Sequence, residues 1–351
     1  MSESIRSGSA GWLNPPIASW KTAAWEPPDA RRWLQLGLGA IWLLDAVLQY
    51  QSFMFTKAFS QMIGGTAEGN PAVIADPITW TAGIVSHQPT TANAAFATAQ
   101  LLLAVGIAWR PTAKIALASS IAWAVTVWWL GEGLGGVVAG TANPVSGAPG
   151  AVIIYALLAV LLWPADRGGF LRSSFVAGRP LGTQVACMLW LVLWGSLAYS
   201  ALQADNRTAQ ALHNLISGMA SGEPGWIASI DANVAALLAH RGLQASITLA
   251  VVFAIIAVGI FLPVLAARAA IVLAIIVAVA IWVAAQDFGA IFTGSATDPN
   301  SGPLLVLLAV AYWPAKPTGP RPASGRNPAF ADSGAQPGKQ RSLALRAPKG
   351  R

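Results

Sequence analysis

Residues 269–286 run the length of a helix without one charged side chain, and seven other stretches approach the same character. A hydrocarbon core about 30 Å thick is crossed by about 20 apolar residues in a helix. The spans expected on this basis are 33–53, 93–109, 114–131, 149–164, 182–203, 244–263, 269–286 and 302–314. Arg110-Pro111 separates the second from the third. The turn after Pro263, carrying Arg268, separates the sixth from the seventh, and Trp163-Pro164 and Trp313-Pro314 close the fourth and eighth. Charged residues make up only 10% of the chain against 55% hydrophobic. A soluble domain carries about 25% charged residues, so a water-soluble globule is excluded. The fold class expected is an all-α integral membrane protein of eight transmembrane helices.

Charge sets the orientation. With the N-terminus in the cytoplasm, 18 of the 21 Lys and Arg residues fall on the cytoplasmic side, and only Lys57, Arg207 and Arg241 lie outside. This is the positive-inside bias of plasma-membrane proteins, and it places both termini in the cytoplasm of a multi-pass inner-membrane protein. The basic excess is thereby explained without nucleic acid as a partner, and the partner expected is the lipid bilayer. Residues 1–32 lack the order of a cleavable signal, and Trp12, Trp20, Trp25 and Trp33 read as interfacial anchors. The tail, residues 315–351, is rich in Pro, Gly and basic residues and is expected to be disordered.

Shifted by 153 positions, the sequence matches itself. Gly69, Pro71, Ile74, Ala75 and His87 fall on Gly222, Pro224, Ile227, Ala228 and His240, and Val105-Gly106-Ile107 falls on Val258-Gly259-Ile260. One further residue of offset aligns Trp128 with Trp282 and Gly135 with Gly289. Each half holds four expected spans, so the two are parallel four-helix repeats. The expected organisation is a cytoplasmic segment over 1–32, a first repeat over 33–164, a linker over 165–181, a second repeat over 182–314 and the tail. Between the first and second span of each half, apolar stripes at helical spacing predict two short amphipathic outer helices. Phe59, Met62 and Ile63 lie on one stripe, and Trp226, Ile227, Ile230 and Val234 on another. Asp76-Pro77 reads as an N-cap followed by Pro at the first helical position.

Asp45 is the most informative residue. It sits inside the first span, where a carboxyl costs about 2.5–3.5 kcal/mol unless paired or hydrated. Gln49 follows one turn on, on the same face. Either Asp45 is a ligand-binding or protonatable group inside the bundle, or it is a packing carboxyl at the rim. Its counterpart under the repeat is Ala198, so a site belongs to the first repeat. Glu132 ends the third span within a glycine-rich run, either as the floor of a pocket or as an ordinary helix-end acid. Gln286 and Asp287 stand near its position in the second repeat. Gln100 and Thr126 are polar within spans and can bond across helices. His87 and His240 recur in both halves, either anchoring helix ends at headgroups or, for His87, joining Asp45 and Glu132. The candidate ligand-binding set is Asp45, Gln49, Gln100, Glu132 and His87, with His240, Gln286 and Asp287 as counterparts.

The single Cys187 excludes an internal disulfide and a cysteine zinc site, and three histidines leave little room for a haem or multi-histidine centre. Nucleotide-binding glycine motifs, HExxH and a nucleophile elbow are all missing from the sequence. No metal is expected.

The Arg31-Arg32 start, Leu36-Gly37-Leu38-Gly39 and an aromatic-apolar first span within a four-span unit resemble the DoxX/DoxD-like family of four-helix membrane proteins. The Ala/Gly/Arg-rich usage and the Trp-Pro ends are similar to membrane proteins of high-GC actinobacteria. The family resemblance implies a subunit of a quinone- or sulfur-linked redox system with a membrane redox partner, and no residue roles carry over from it. It makes a lipophilic ligand such as quinone, held in the first repeat, the leading expectation. A proton-coupled transporter or channel, with Asp45 as the coupling acid, and a structural membrane scaffold are the alternatives.

Overall fold

The computed structural model describes residues 29–165 and 175–314. Trp12, Trp20 and Trp25, most of the linker, and the tail lie outside the described residues. Thirteen α-helices follow one another among those described. They are α1 (Ala30–Leu48), α2 (Lys57–Gly65), α3 (Ala72–His87), α4 (Pro89–Ala108), α5 (Ala113–Leu130), α6 (Ala151–Leu161), α7 (Gly178–Leu181), α8 (Thr183–Ala201), α9 (Ala211–Met219), α10 (Gly225–Leu238), α11 (Gly242–Gly259), α12 (Val264–Ala284) and α13 (Ser301–Ala311).

Five helices, α4, α5, α8, α11 and α12, are long and apolar enough to cross a membrane. Their outward faces present Leu102, Val105, Ile115, Val125, Val192, Val251, Ile255 and Ile276 as exposed side chains. Such an exterior is stable against lipid and not against water. The protein is thus an α-helical membrane protein. Helix α1 has comparable length but carries Arg31, Arg32 and Asp45. Helices α6 and α13, at the expected fourth and eighth spans, have only 11 residues each. Both are reached through long irregular loops.

Other boundaries also moved. Helix α1 stops at Leu48, so Gln49 is its C-cap and Tyr50–Phe53 lie beyond it. Helix α12 starts directly after Pro263, which puts Arg268 inside the helix, its guanidinium 5.8 Å from the centre of the Trp313 ring. The short outer helices expected from the apolar stripes are α2 and α3, then α9 and α10. Helix α3, however, begins at Ala72 and contains Pro77, so Asp76 is not its cap. So near the start of a helix, Pro removes a single intrahelical bond, and Pro71 has already turned the chain.

Close helix packing rests on small residues. A Cβ on Gly106 would lie 2.8 Å from Cβ of Ala116, which brings α4 against α5. The corresponding contact of α11 with α12, Gly259 against Ala270, is closer still. Van der Waals contact between such faces replaces the hydrophobic drive that lipid cannot supply. Arg32 donates to the carbonyls of Ile107 and Ala108, satisfying the open end of α4.

Burial runs in parallel along paired helices. In α5 the buried positions are Ala113, Ala116, Leu117, Ser120 and Ala124, and in α12 they are Ala267, Ala270, Ile271, Ala274 and Ala278, each 154 residues on. Helices α6 and α13 correspond at an offset of 150, α4 and α11 at 153. For α1 and α8 the offset is 152, which pairs Leu38 with Trp190 and Trp42 with Trp194. Asp45 therefore pairs with Leu197 and not with Ala198. The self-match at 153 holds from Gly69 and Gly222 through α4 and α11, so the connection between α1 and Gly69 is one residue shorter than that between α8 and Gly222.

Candidate functional site

Under α2 and α3 lies a cavity of about 210 Å³. Trp42, Asp45 and Gln49 line it from the α1 end, and Phe96 and Gln100 from α4. Trp123, Thr126, Val127 and Leu130 come from α5, and Phe59, Met62, Ile63 and Thr81 from the two lid helices. Glu132 closes one side together with Val152 at the start of α6. Thr297 and Asp298 reach in from the loop before α13.

The local geometry follows from ordinary helix chemistry. Asp45 and Gln49 are four residues apart and face the same way. Both are buried, at 2% and 3% exposure. Tyr155 of α6 donates its hydroxyl to Oδ2 of Asp45 at 2.5 Å, and its ring stacks at a tilt on Trp42, centroids 4.2 Å apart. Trp42 is held in turn by donating its indole N–H to Oγ of Ser120. Asn93 of α4 donates to the Gln49 carbonyl at 2.6 Å, tying the end of α1 to α4. The Val152 N–H donates to Oε1 of Glu132.

What remains without a partner is the informative part. Oδ1 of Asp45, Oε1 of Gln49, Oε1 of Gln100 and Oε2 of Glu132 are buried and receive no hydrogen bond. Buried polar atoms are nearly always paired, and leaving one unpaired costs about 1–3 kcal/mol. The four side chains that hold these oxygens all line the one cavity. Thr126 contributes nothing across helices, because its hydroxyl bonds back to Ala122 of its own helix.

Asp298 was not anticipated from the sequence. Its Oδ2 accepts from Thr297 and its Oδ1 from the Asn300 N–H. Asn300 caps α13 and donates to the Ser146 carbonyl in the loop of the other half. Burial raises the Asp298 carboxyl above the usual range, against those two hydrogen bonds. Glu132 rises to about 8, first through burial and then through the nearby Asp298, against the Val152 N–H. The only signal in the sequence was an acid before Pro299, where the first half has Ala148 before Pro149.

The loops cross between the halves. As the second loop brings Asp298 to the first cavity, the first loop carries Pro144 and Val145 into the second half. There Val145 packs with Leu212, Ile216, Ala235 and Ala285. Asn143 bonds Asn206, which also donates to the carbonyls of Ala142 and Ser200. The corresponding space of the second half has shrunk to about 10 Å³. Leu197 stands for Asp45, Phe253 for Gln100, Val277 for Trp123 and Leu305 for Tyr155. Gln286, standing for Glu132, donates to Oγ of Ser301, while its own Oε1 is buried without a partner.

The histidines do not line this cavity. His87 is exposed, its Nδ1 2.6 Å from the Gly83 carbonyl oxygen, and it does not line the cavity. It is the last residue of α3. His240 is exposed beside Gln210. Among the described residues no group of three or more His, Cys, Asp and Glu is arranged to hold a metal. No protein-family model, curated protein or solved structure matches the chain.

Asp287 instead meets Asp231 of α10, both buried. Burial and the facing Asp231 carboxyl raise Asp287 to about 7, with Glu223 adding to the effect. A folded-state value above the unfolded one, near 4, means that the folded protein holds the extra proton. Stability should therefore be greatest below about pH 4–5 for this group and fall as pH rises through about 7. Melting of the detergent-solubilised protein between about pH 5.5 and 8.5 should show this decline. Asp287→Asn should flatten most of it, and an unchanged slope would remove the pair as its cause.

Proposed function

We propose that this chain is a ligand-binding membrane protein whose site lies in the first of two parallel four-helix repeats. In this reading the chain crosses the plasma membrane eight times, with both termini in the cytoplasm and the lid helices outside. The parallel burial of α1, α4, α5 and α6 with α8, α11, α12 and α13 supports the repeat.

The single observation carrying the binding reading is the convergence of Asp45, Gln49, Gln100 and Glu132 on one aromatic-walled cavity with unpartnered oxygens. In the second half the corresponding space is filled by Leu197, Phe253 and Leu305. A lipophilic molecule with hydrogen-bond donors suits walls of Trp42, Phe59, Phe96 and Trp123.

A role as accessory subunit of a quinone- or sulfur-linked redox system is the second reading. The cavity favours it in one respect: the two hydroxyls of a hydroquinone would donate to the unpartnered oxygens, while the ring lay among the aromatic walls. Native mass spectrometry of protein extracted from its own membranes tests both. A lipophilic molecule should be retained by the wild type and missing when the cavity is filled, and its identification as a quinol would favour the redox subunit. Equal retention of the same molecule by wild type and filled variant would sink the site.

A further inference from the structure

Three carboxyls, Asp45, Glu132 and Asp298, border a single cavity, and among the described residues no Lys, Arg or His lines it. The titratable groups facing the space are Asp45 from α1, Glu132 after α5, Asp298 from the loop before α13, and Tyr155 from α6 behind Asp45. Helices α2, α3 and α4 contribute only Phe59, Met62, Ile63, Thr81, Phe96 and Gln100. Asp45 is 2% exposed, and one of its oxygens has no partner. Carboxyls gathered without a counter-charge favour a cation in their midst, and electron-rich ring faces attract the same charge.

We propose that the ligand of this cavity is a lipophilic primary or secondary ammonium ion, its N–H groups donating to Asp45, Glu132 and the glutamine oxygens and its apolar body lying against Trp42, Phe96 and Trp123. This rests on the ligand-binding reading above and names the ligand's chemical class. An ammonium supplies both things the site lacks, donors and positive charge, whereas a quinol supplies donors alone. Where a carboxyl is protonated before binding, the cation displaces that proton to solvent, and the ammonium keeps its own. Binding therefore releases protons, and affinity rises with pH across the range in which Glu132 ionises, around 8.

The test uses the full chain in detergent and three probes of equal chain length: 4-phenylbutylamine, 4-phenylbutanol and 4-phenylbutyrate. Binding is followed by calorimetry in two buffers of different ionisation heat, so that affinity and proton release are read together. The amine should bind at least tenfold more tightly than the alcohol, release protons, and tighten between about pH 6 and 8. The carboxylate should not bind. Asp45→Asn and Glu132→Gln should each weaken the amine about tenfold or more while leaving the alcohol within about twofold. An alcohol that binds as well as the amine, with no proton release, would overturn the ammonium assignment and leave the cavity reading standing, provided Gln100→Phe abolishes it. Failure of all three probes to bind above the level of Gln100→Phe would overturn both. The comparison of probes on the wild-type protein does not depend on any variant folding.

Discussion

Gln100→Phe should abolish ligand binding while leaving the fold intact. The second half already carries this substitution in effect, since Phe253 occupies the corresponding position of α11 and is 1% exposed. A phenyl ring at position 100 would enter a cavity of about 210 Å³ walled by Phe96, Trp123 and Val127. It removes one unpartnered buried oxygen and supplies apolar contact. The melting temperature of the empty protein should hold or rise by a few degrees. A ligand at a hundredfold excess over its Kd stabilises the wild type by about 2.7 kcal/mol, and this increment should vanish in the variant. The reverse change, Phe253→Gln, should create no site, because Leu197 and Leu305 still fill the space where Asp45 and Tyr155 would be needed. Ligand stabilisation that survives in Gln100→Phe would place the site elsewhere.

Gly289→Ala should damage the first half's cavity although it lies in the second half of the sequence. Gly289 has φ of +80°, and a Cβ there would lie 2.6 Å from Cα of Pro299. Its counterpart Gly135, φ +62°, faces the Pro149 carbonyl even more closely. Each proline carbonyl accepts the indole N–H of the preceding helix, Trp128 to Pro149 at 2.6 Å and Trp282 to Pro299 at 2.8 Å. Backbone strain of this kind costs about 1–3 kcal/mol, and overpacking adds about 1–3 kcal/mol more. Either alanine should therefore lower stability by about 3 kcal/mol. The site makes them differ. Displacing Pro299 moves Asp298, its chain neighbour, so Gly289→Ala should weaken an ammonium ligand at least tenfold while a neutral one loses less. Thermal melting with and without 4-phenylbutylamine separates the two effects. Unaltered amine affinity in a folded Gly289→Ala protein would mean that Asp298 does not act on the ligand.

Much of the site could be read before any coordinates, and for a definite reason. A carboxyl within an apolar span is costly enough to stand out, so Asp45 announces itself. Gln49 and Gln100 follow from helical spacing and from polarity where lipid would exclude it. Glu132 was legible as an acid within a glycine run, though its environment was not. His87 and His240 recur in both halves of the sequence, yet neither lines either cavity. His87 ends α3 and is exposed. Asp298 escaped notice because it lies in a loop some 250 residues from Asp45, and no local pattern says where a loop will go. Tyr155 escaped because a tyrosine in an apolar helix is unremarkable until its hydroxyl is seen to reach Asp45.

Composition and hydropathy by themselves determined that this is a helical membrane protein, since polar backbone in lipid must be satisfied within each helix. Self-similarity pointed to the doubled plan, and one buried acid pointed to the half that holds the larger cavity. The tertiary structure alone decided that the loops cross, that Pro144 and Val145 help fill one bundle while Asp298 completes the other, and that α1 and α8 pair at 152 and not 153. Helix formation and burial depend on neighbours a few residues away, which a sequence displays directly. The meeting of distant loops depends on packing summed over the whole molecule, which no local stretch contains.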